Sequence, residues 1–238
     1  MRLAFLLLLL TTTVQSRVPE DRYNGVHVSG AIHTMMMEGH ISATMALDSL
    51  ALKPHLYALG AVEKLKGEIQ ILNGRPYVSY ALDSAVRIDT SFQRHAAMLV
   101  YSQVPVWDSV PLPQGITTTE ELEEVLPALA QNYAIDLEQA FPFLITGVVD
   151  SVNWHVIDWP EGDTVHSHAK HKKSGLHGKL ADQDVTLLGF YSTKHQGVFT
   201  HHGTNIHMHV FSADRTIAGH VDDADFGEKM VLWLPRMR

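Results

Sequence analysis

Asn73-Gly74, set between two extended runs, is the feature that most narrows the folds open to this chain. Gly67-Glu68-Ile69-Gln70-Ile71-Leu72 precedes the pair and Arg75-Pro76-Tyr77-Val78-Ser79-Tyr80 follows it. Both turn residues tolerate positive φ, and a two-residue turn of that kind matches the twist of the strands it joins. The resulting β-hairpin puts Glu68 opposite Ser79 and on one face with Gln70 and Leu72, because side chains alternate along a strand. Phe141–His155, Val185–Tyr191, Asn205–Phe211 and Met230–Leu234 are further strand candidates. Helical spacing is rare. Its clearest case is Thr118–Gln131, where Thr118 and Glu121 make a capping-box pattern and Leu122, Val125, Leu126 and Leu129 recur on one side. Pro127 predicts a kink there, or a break into two short helices. Pro105–Gly115 reads as a connector. The class is therefore α+β, strand-rich with few helices. The connector suggests an N-terminal half of about residues 17–115 and a C-terminal half of about 116–238.

At the start of the chain, Arg2, the apolar run Leu3–Leu10 and Val14-Gln15-Ser16 form a signal-peptide pattern covering residues 1–16. The apolar run falls well short of the roughly 20 residues that cross a bilayer. An exported protein, periplasmic or secreted, with no membrane span is expected. Eighteen Lys and Arg stand against 26 Asp and Glu, a formal charge of −8. That balance argues against a nucleic-acid partner, which asks for clustered cations. The one basic cluster, His166–Lys173, is local and reads as a solvated loop. No cysteine is present, which excludes disulfides and thiol catalysis. A metal site must then use His, Asp and Glu, and sixteen histidines supply it.

The candidate site lies in Asn205-Ile206-His207-Met208-His209-Val210-Phe211. On a strand, His207 and His209 point one way while Ile206, Met208 and Val210 pack the other. Polar residues then interrupt the run before Ile217-Ala218-Gly219-His220-Val221 resumes it. A two-residue loop at Asp214-Arg215 sets His209 directly opposite His220, with His207 diagonal to it on the same face. Three imidazoles converging on one patch can hold zinc, or another divalent transition metal, with positions left open for water or substrate. Gly219 would let backbone or ligand come close to the third histidine. His201-His202 lead into this strand as candidate outer partners that orient a ligand imidazole. His166, His168, His171, His177 and His155 form a second cluster that competes for the metal.

These residues resemble the acetolactate decarboxylases. Gly67-Glu68-Ile69 with Leu72-Asn73-Gly74 resembles that family's Gly-Glu-Leu and Leu-Asp-Gly hairpin. Ile145-Thr146-Gly147 and Gly189-Phe190-Tyr191 resemble two of its strands, and His207-x-His209 followed by Gly219-His220-Val221 reproduces its three zinc histidines at the same spacing. The likeness spans about Met35 to Val221. It implies tandem mixed β-sheet domains and a zinc-dependent conversion of 2-acetolactate, a small 2-hydroxy-3-oxo acid, to acetoin and carbon dioxide. It assigns Glu68 as a catalytic acid/base or orienting group that looks into the zinc pocket. His155 falls where the family carries an arginine, so carboxylate binding passes to His155 as a second catalytic candidate. The family's second glutamate, near its C-terminus, has no counterpart; Asp222, Asp223, Asp225 and Glu228 come too early to match it.

Two other readings stay open on the residues alone. One is a different metal-dependent lyase or hydrolase on the same scaffold, since a fold does not fix its reaction. The other is a non-catalytic zinc-binding exported protein. A cupin does not fit, because the residues after His209 lack the glutamate that fold requires. A homodimer is compatible with each reading.

Overall fold

The computed structural model describes residues 23–237. The expected signal peptide at residues 1–16 lies outside them. The first sheet is built from β1 (Val26–Ser29), β2 (Met45–Ala46), β3 (Leu56–Val62), β4 (Glu68–Leu72), β5 (Arg75–Leu82), β6 (Ala85–Asp89) and β7 (His95–Gln103), in the order β1-β7-β3-β4-β5-β6 with β2 also on β7. The second contains β8 (Trp107–Pro111), β9 (Phe141–Ile157), β10 (Gly175–Tyr191), β11 (Ile206–Ser212), β12 (Ala218–Asp225) and β13 (Val231–Pro235), in the order β10-β11-β12-β9-β13-β8. Every named strand pairing is antiparallel. Among the described residues, three α-helices accompany them: α1 (Ile32–Glu38), α2 (Thr119–Asn132) and α3 (His168–Lys173). The strand-rich α+β expectation holds. The chain passes from the first sheet to the second between β7 and β8, at the start of the proline-rich connector.

The β4–β5 hairpin has the expected register, with Glu68 opposite Ser79 and Gln70 opposite Tyr77. Asn73 and Gly74 both take positive φ, 46° and 77°, as the two-residue turn requires. In the second sheet, β9 and β10 are long enough to be shared. β10 pairs with β9 along its whole length and with β11 at its C-terminal end, while β12 returns to the C-terminal end of β9. The pairings therefore form a closed circuit, β9-β10-β11-β12-β9, which leaves the histidine strands no free edge.

The sheets stack face to face. Leu59, Ala61, Met98 and Val100 of the first meet Leu144, Ile157, Leu188 and Phe190 of the second in one buried cluster. The outer face of the first sheet is closed by Leu47 and Leu50 over Ile69, Ile71 and Val78. The other face of the second sheet, including Met208 and Val210, packs on Leu122, Leu126 and Ala130 of α2.

Helix α2 opens with the expected capping box, in which Thr118 accepts from the Glu121 N–H at 3.3 Å and Glu121 accepts from the Thr118 N–H at 3.1 Å. Pro127 does not break it: one continuous helix runs from Thr119 to Asn132. Its buried leucine face holds the helix against the sheet across the missing backbone donor. Glu123 on the same helix accepts from the Asn205 N–H at 2.7 Å and the Thr204 hydroxyl at 2.6 Å, fixing the start of β11. The loop reading of residues 166–173 is also corrected. Ser167 caps α3 by accepting from the Lys170 N–H at 3.2 Å, and His166 and His171 both lie against the Trp159 ring. An aromatic platform orders a segment that composition alone makes polar.

Candidate metal centre

Because β11 alternates, His207 and His209 face the first sheet while Ile206, Met208 and Val210 face α2 and the second core. His220 on β12 lies directly opposite His209. The register is the expected one, but the turn differs. Ser212 N–H bonds the Ile217 carbonyl at 3.0 Å, so the loop holds four residues, 213–216, with Arg215 at φ 63°. Lengthening a loop equally at both ends keeps its centre, which is why the pairing survives. Gly219 is the close-approach position: a Cβ there would stand 2.8 Å from the His155 carbonyl oxygen. This lets β12 lie tightly on β9 and sets His155 directly opposite His220 on the next strand.

Each of His207, His209 and His220 offers a ring nitrogen, and those atoms lie within 4.8 Å of one another. The three can hold a metal ion. All three imidazoles are buried, His209 completely. His207 Nε2 contacts His220 Nδ1 at 3.0 Å. His207 Nδ1 and both nitrogens of His209 have no hydrogen-bond partner, since the nearby backbone of Phe199 and Ile69 falls short of hydrogen-bond geometry. Buried polar atoms are paired in most proteins, so unpaired nitrogens on His207 and His209, beside His220 with one ring nitrogen from each within 4.8 Å of the others, fit a cation better than they fit a dry core. Burial, reinforced by neighbouring imidazoles, pushes His207 and His220 well below the usual histidine range, and burial with His155 pushes His209 down to about 3. They are held neutral, the state in which imidazole binds metal.

The first sheet contributes Glu68, almost fully buried. Its Oε2 stands 3.6 Å from His209 Nε2 and its Oε1 4.0 Å from His155 Nε2. The Ile157 N–H donates to Oε1 at 3.4 Å. Burial dominates and holds this carboxyl well above the usual range, against the Ile157 bond and with Asp222 adding repulsion. Gln70, two residues on and on the same face, donates to the His209 carbonyl at 3.5 Å.

His155 turns its Nδ1 to Asp222 Oδ1 at 3.0 Å, and the same oxygen receives Lys172 Nζ at 3.0 Å. Burial alone would raise Asp222, but its bonds to His155 and Lys172 outweigh it and hold the carboxyl below its usual range. A cleft reaches the site between α1 and α3, with Ile32, Met35 and Leu65 on an apolar wall and Glu68, His155, Lys172, His207 and His220 on a polar one. His201 also lines it, its ring 5.8 Å from that of His220 and 6.3 Å from that of His207.

The candidates from sequence thus come together: Glu68, His155, His207 and His220 line one cleft, and His209, fully buried, lies against His207 and His220. Of the second histidine cluster, His155 and His171 reach this pocket, whereas His177 on β10 is exposed. Sequence reasoning missed Lys172, read as part of a loop, and Asp222, weighed only as a stand-in for a distant glutamate. The signal for Asp222 was its place two residues after His220 on the same strand face. It also missed α1, whose end is marked by Gly39 at φ 67°.

The family model described as alpha-acetolactate decarboxylase matches residues 29–235. Among solved structures, alpha-acetolactate decarboxylase from Bacillus subtilis strain 168 superposes with a TM-score of 0.71 at 15% identity, over 90% of this chain and 86% of that one. Acetolactate decarboxylase from Bacillus subtilis subspecies spizizenii gives 0.71 at 16% identity, over 90% and 87%. A Staphylococcus aureus protein of unknown function, similar to alpha-acetolactate decarboxylase, gives 0.71 at 15% identity, over 88% and 84%. No curated protein matches by sequence search.

Proposed function

Since the chain belongs to the alpha-acetolactate decarboxylase family, we propose that it decarboxylates 2-acetolactate to acetoin and carbon dioxide, using zinc held by His207, His209 and His220. The observation that carries this reading is the pairing of two unlike elements across the inter-sheet cleft. One sheet brings three buried imidazoles that burial holds toward the neutral form, and the other brings a buried carboxyl 3.6 Å from one of them, which burial pushes well above the usual carboxylate range.

A divalent ion at such a site supplies Lewis acidity, drawing negative charge onto ketone and hydroxyl oxygens. The rest is the work of side chains. When the bond from the carboxylate carbon to the hydroxyl-bearing carbon breaks, carbon dioxide leaves and the electron pair moves into the adjacent ketone as an enediolate. The carbon that lost the carboxylate then needs a proton. Glu68 suits the general acid's role: it is buried, burial favours its protonated form, and the Ile157 N–H supports the oxygen it would leave charged. His155, oriented by Asp222, faces that carboxyl and is positioned to return the proton from solvent. The apolar wall of Ile32, Met35 and Leu65 limits water around the reacting carbons.

Export follows as a separate proposal, supported by the Arg2 to Ser16 pattern. Acetoin release from 2-acetolactate by the metal-loaded protein tests the main reading. It should be abolished by replacing His207 and His209 together. If the double variant is as active as the wild type, the site has been placed wrongly.

A further inference from the structure

Among the described residues lining the cleft, Lys172 is the one Lys or Arg side chain. Among the described residues it is also the one Lys or Arg in the adjoining pocket beside the first turn of α2, which Glu120, His207 and Asp222 line as well. It therefore stands where the two openings meet, at the edge of the metal histidines. Its ammonium has three donors, and Asp222 Oδ1 takes one at 3.0 Å with the side chain about a third exposed. Helix α3 is tied down through Trp159 and the Ser167 cap, so Lys172 is delivered to the cleft by a supported element. His155, the sequence candidate for carboxylate binding, lies deeper: Asp222 takes its Nδ1, and its Nε2 is turned to Glu68.

We propose that Lys172 anchors the carboxylate of the substrate at the mouth of the cleft, opposite the end gripped at the metal histidines. The inference rests on the decarboxylase reading and adds the residue that selects an anionic 2-hydroxy acid over its uncharged analogues. Asp222 then has two roles. It orients His155, and it parks the ammonium until a second carboxylate arrives to share it. A lysine suits this position because the carboxylate must leave. A single point charge holds it without the two-bond geometry of an arginine fork. As carbon dioxide forms, the negative charge moves to the ketone end, so Lys172 binds the ground state more than the transition state. Its removal should raise KM and leave kcat unchanged or slightly higher.

The test compares 2-hydroxyisobutyrate with its uncharged amide, by calorimetric binding to the zinc-loaded full chain. In Lys172→Ala the anion should bind about 10- to 100-fold more weakly, the scale of a hydrogen bond to a charged group. The amide should change less than about twofold, and Lys172→Arg should recover most of the anion's affinity. Asp222→Asn should leave anion binding intact or tighter, because it removes the competing carboxylate. Equal loss of anion and amide, or an Asp222→Asn variant that copies Lys172→Ala, would overturn the proposal by making Lys172 a support for Asp222. So would unchanged anion binding in Lys172→Ala. The two readings fail separately: a wild type that makes no acetoin yet prefers the anion through Lys172 sinks the decarboxylase assignment alone.

Discussion

Acid should unfold the metal-free protein earlier than its carboxylates alone would cause, and the three buried imidazoles set the size of the effect. His207, His209 and His220 are held neutral by burial, with values well below 6.5 and about 3 for His209. In the unfolded chain each returns to an ordinary value of about 6.5. Their contribution to stability is thus complete above about pH 6.5 and is lost as pH falls toward the folded values, because the unfolded state binds more protons. Between pH 7.5 and 5.5 each imidazole loses roughly 1 kcal/mol, and the three together a few, a large share of a typical domain's roughly 5–15 kcal/mol. Glu68 works in the opposite direction. Its raised value means that stability falls as pH rises above the ordinary carboxylate range, so acid returns part of the loss. Comparison with His209→Gln isolates the histidine effect. Urea unfolding of metal-stripped wild type and variant should show the wild type losing roughly 1 kcal/mol more over this interval. Parallel pH profiles for the two proteins would refute a buried, neutral His209.

Other expectations follow from the same geometry. The His207→Ala, His209→Ala double variant should lose most of its metal by elemental analysis, and full occupancy would show that the ion sits elsewhere. Glu68→Gln should retain zinc while turnover falls by about 10²–10⁴-fold, the usual scale of general acid catalysis; unchanged kcat would remove Glu68 from the mechanism. Thr118→Ala breaks the capping box and should cost about 1 kcal/mol in a denaturation experiment, and no change would mean that α2 is held by its leucine face alone. Mass spectrometry of the protein from its native source should find a terminus near Arg17, an intact Met1 being the contrary result.

What could be read in advance was whatever depends on strand alternation and turn chemistry. Asn73-Gly74 set the register that puts Glu68 on the inner face, and the spacing from His207 to His220 set the register of β11 and β12. Both are local relations. The exact loop at 213–216 was hidden because a four-residue and a two-residue loop with the same centre give identical pairing. The contacts of Lys172 and Asp222 were hidden for a different reason. They join α3 to β12 across 50 positions, and nothing periodic in either segment signals the other. The Trp159 platform that turns residues 168–173 into a helix is equally non-local. Of the two outcomes Pro127 suggested, the break is absent: the buried Leu122, Leu126 and Ala130 keep one helix across it.

The most direct test titrates zinc into metal-stripped wild-type protein while acetoin formation from 2-acetolactate is followed. The account predicts that acetoin formation rises in proportion to bound metal and saturates at one equivalent per chain, with zinc held by the three imidazoles. A protein that binds its full equivalent of zinc and releases no acetoin would contradict it, as would one that needs several ions per chain before any turnover begins.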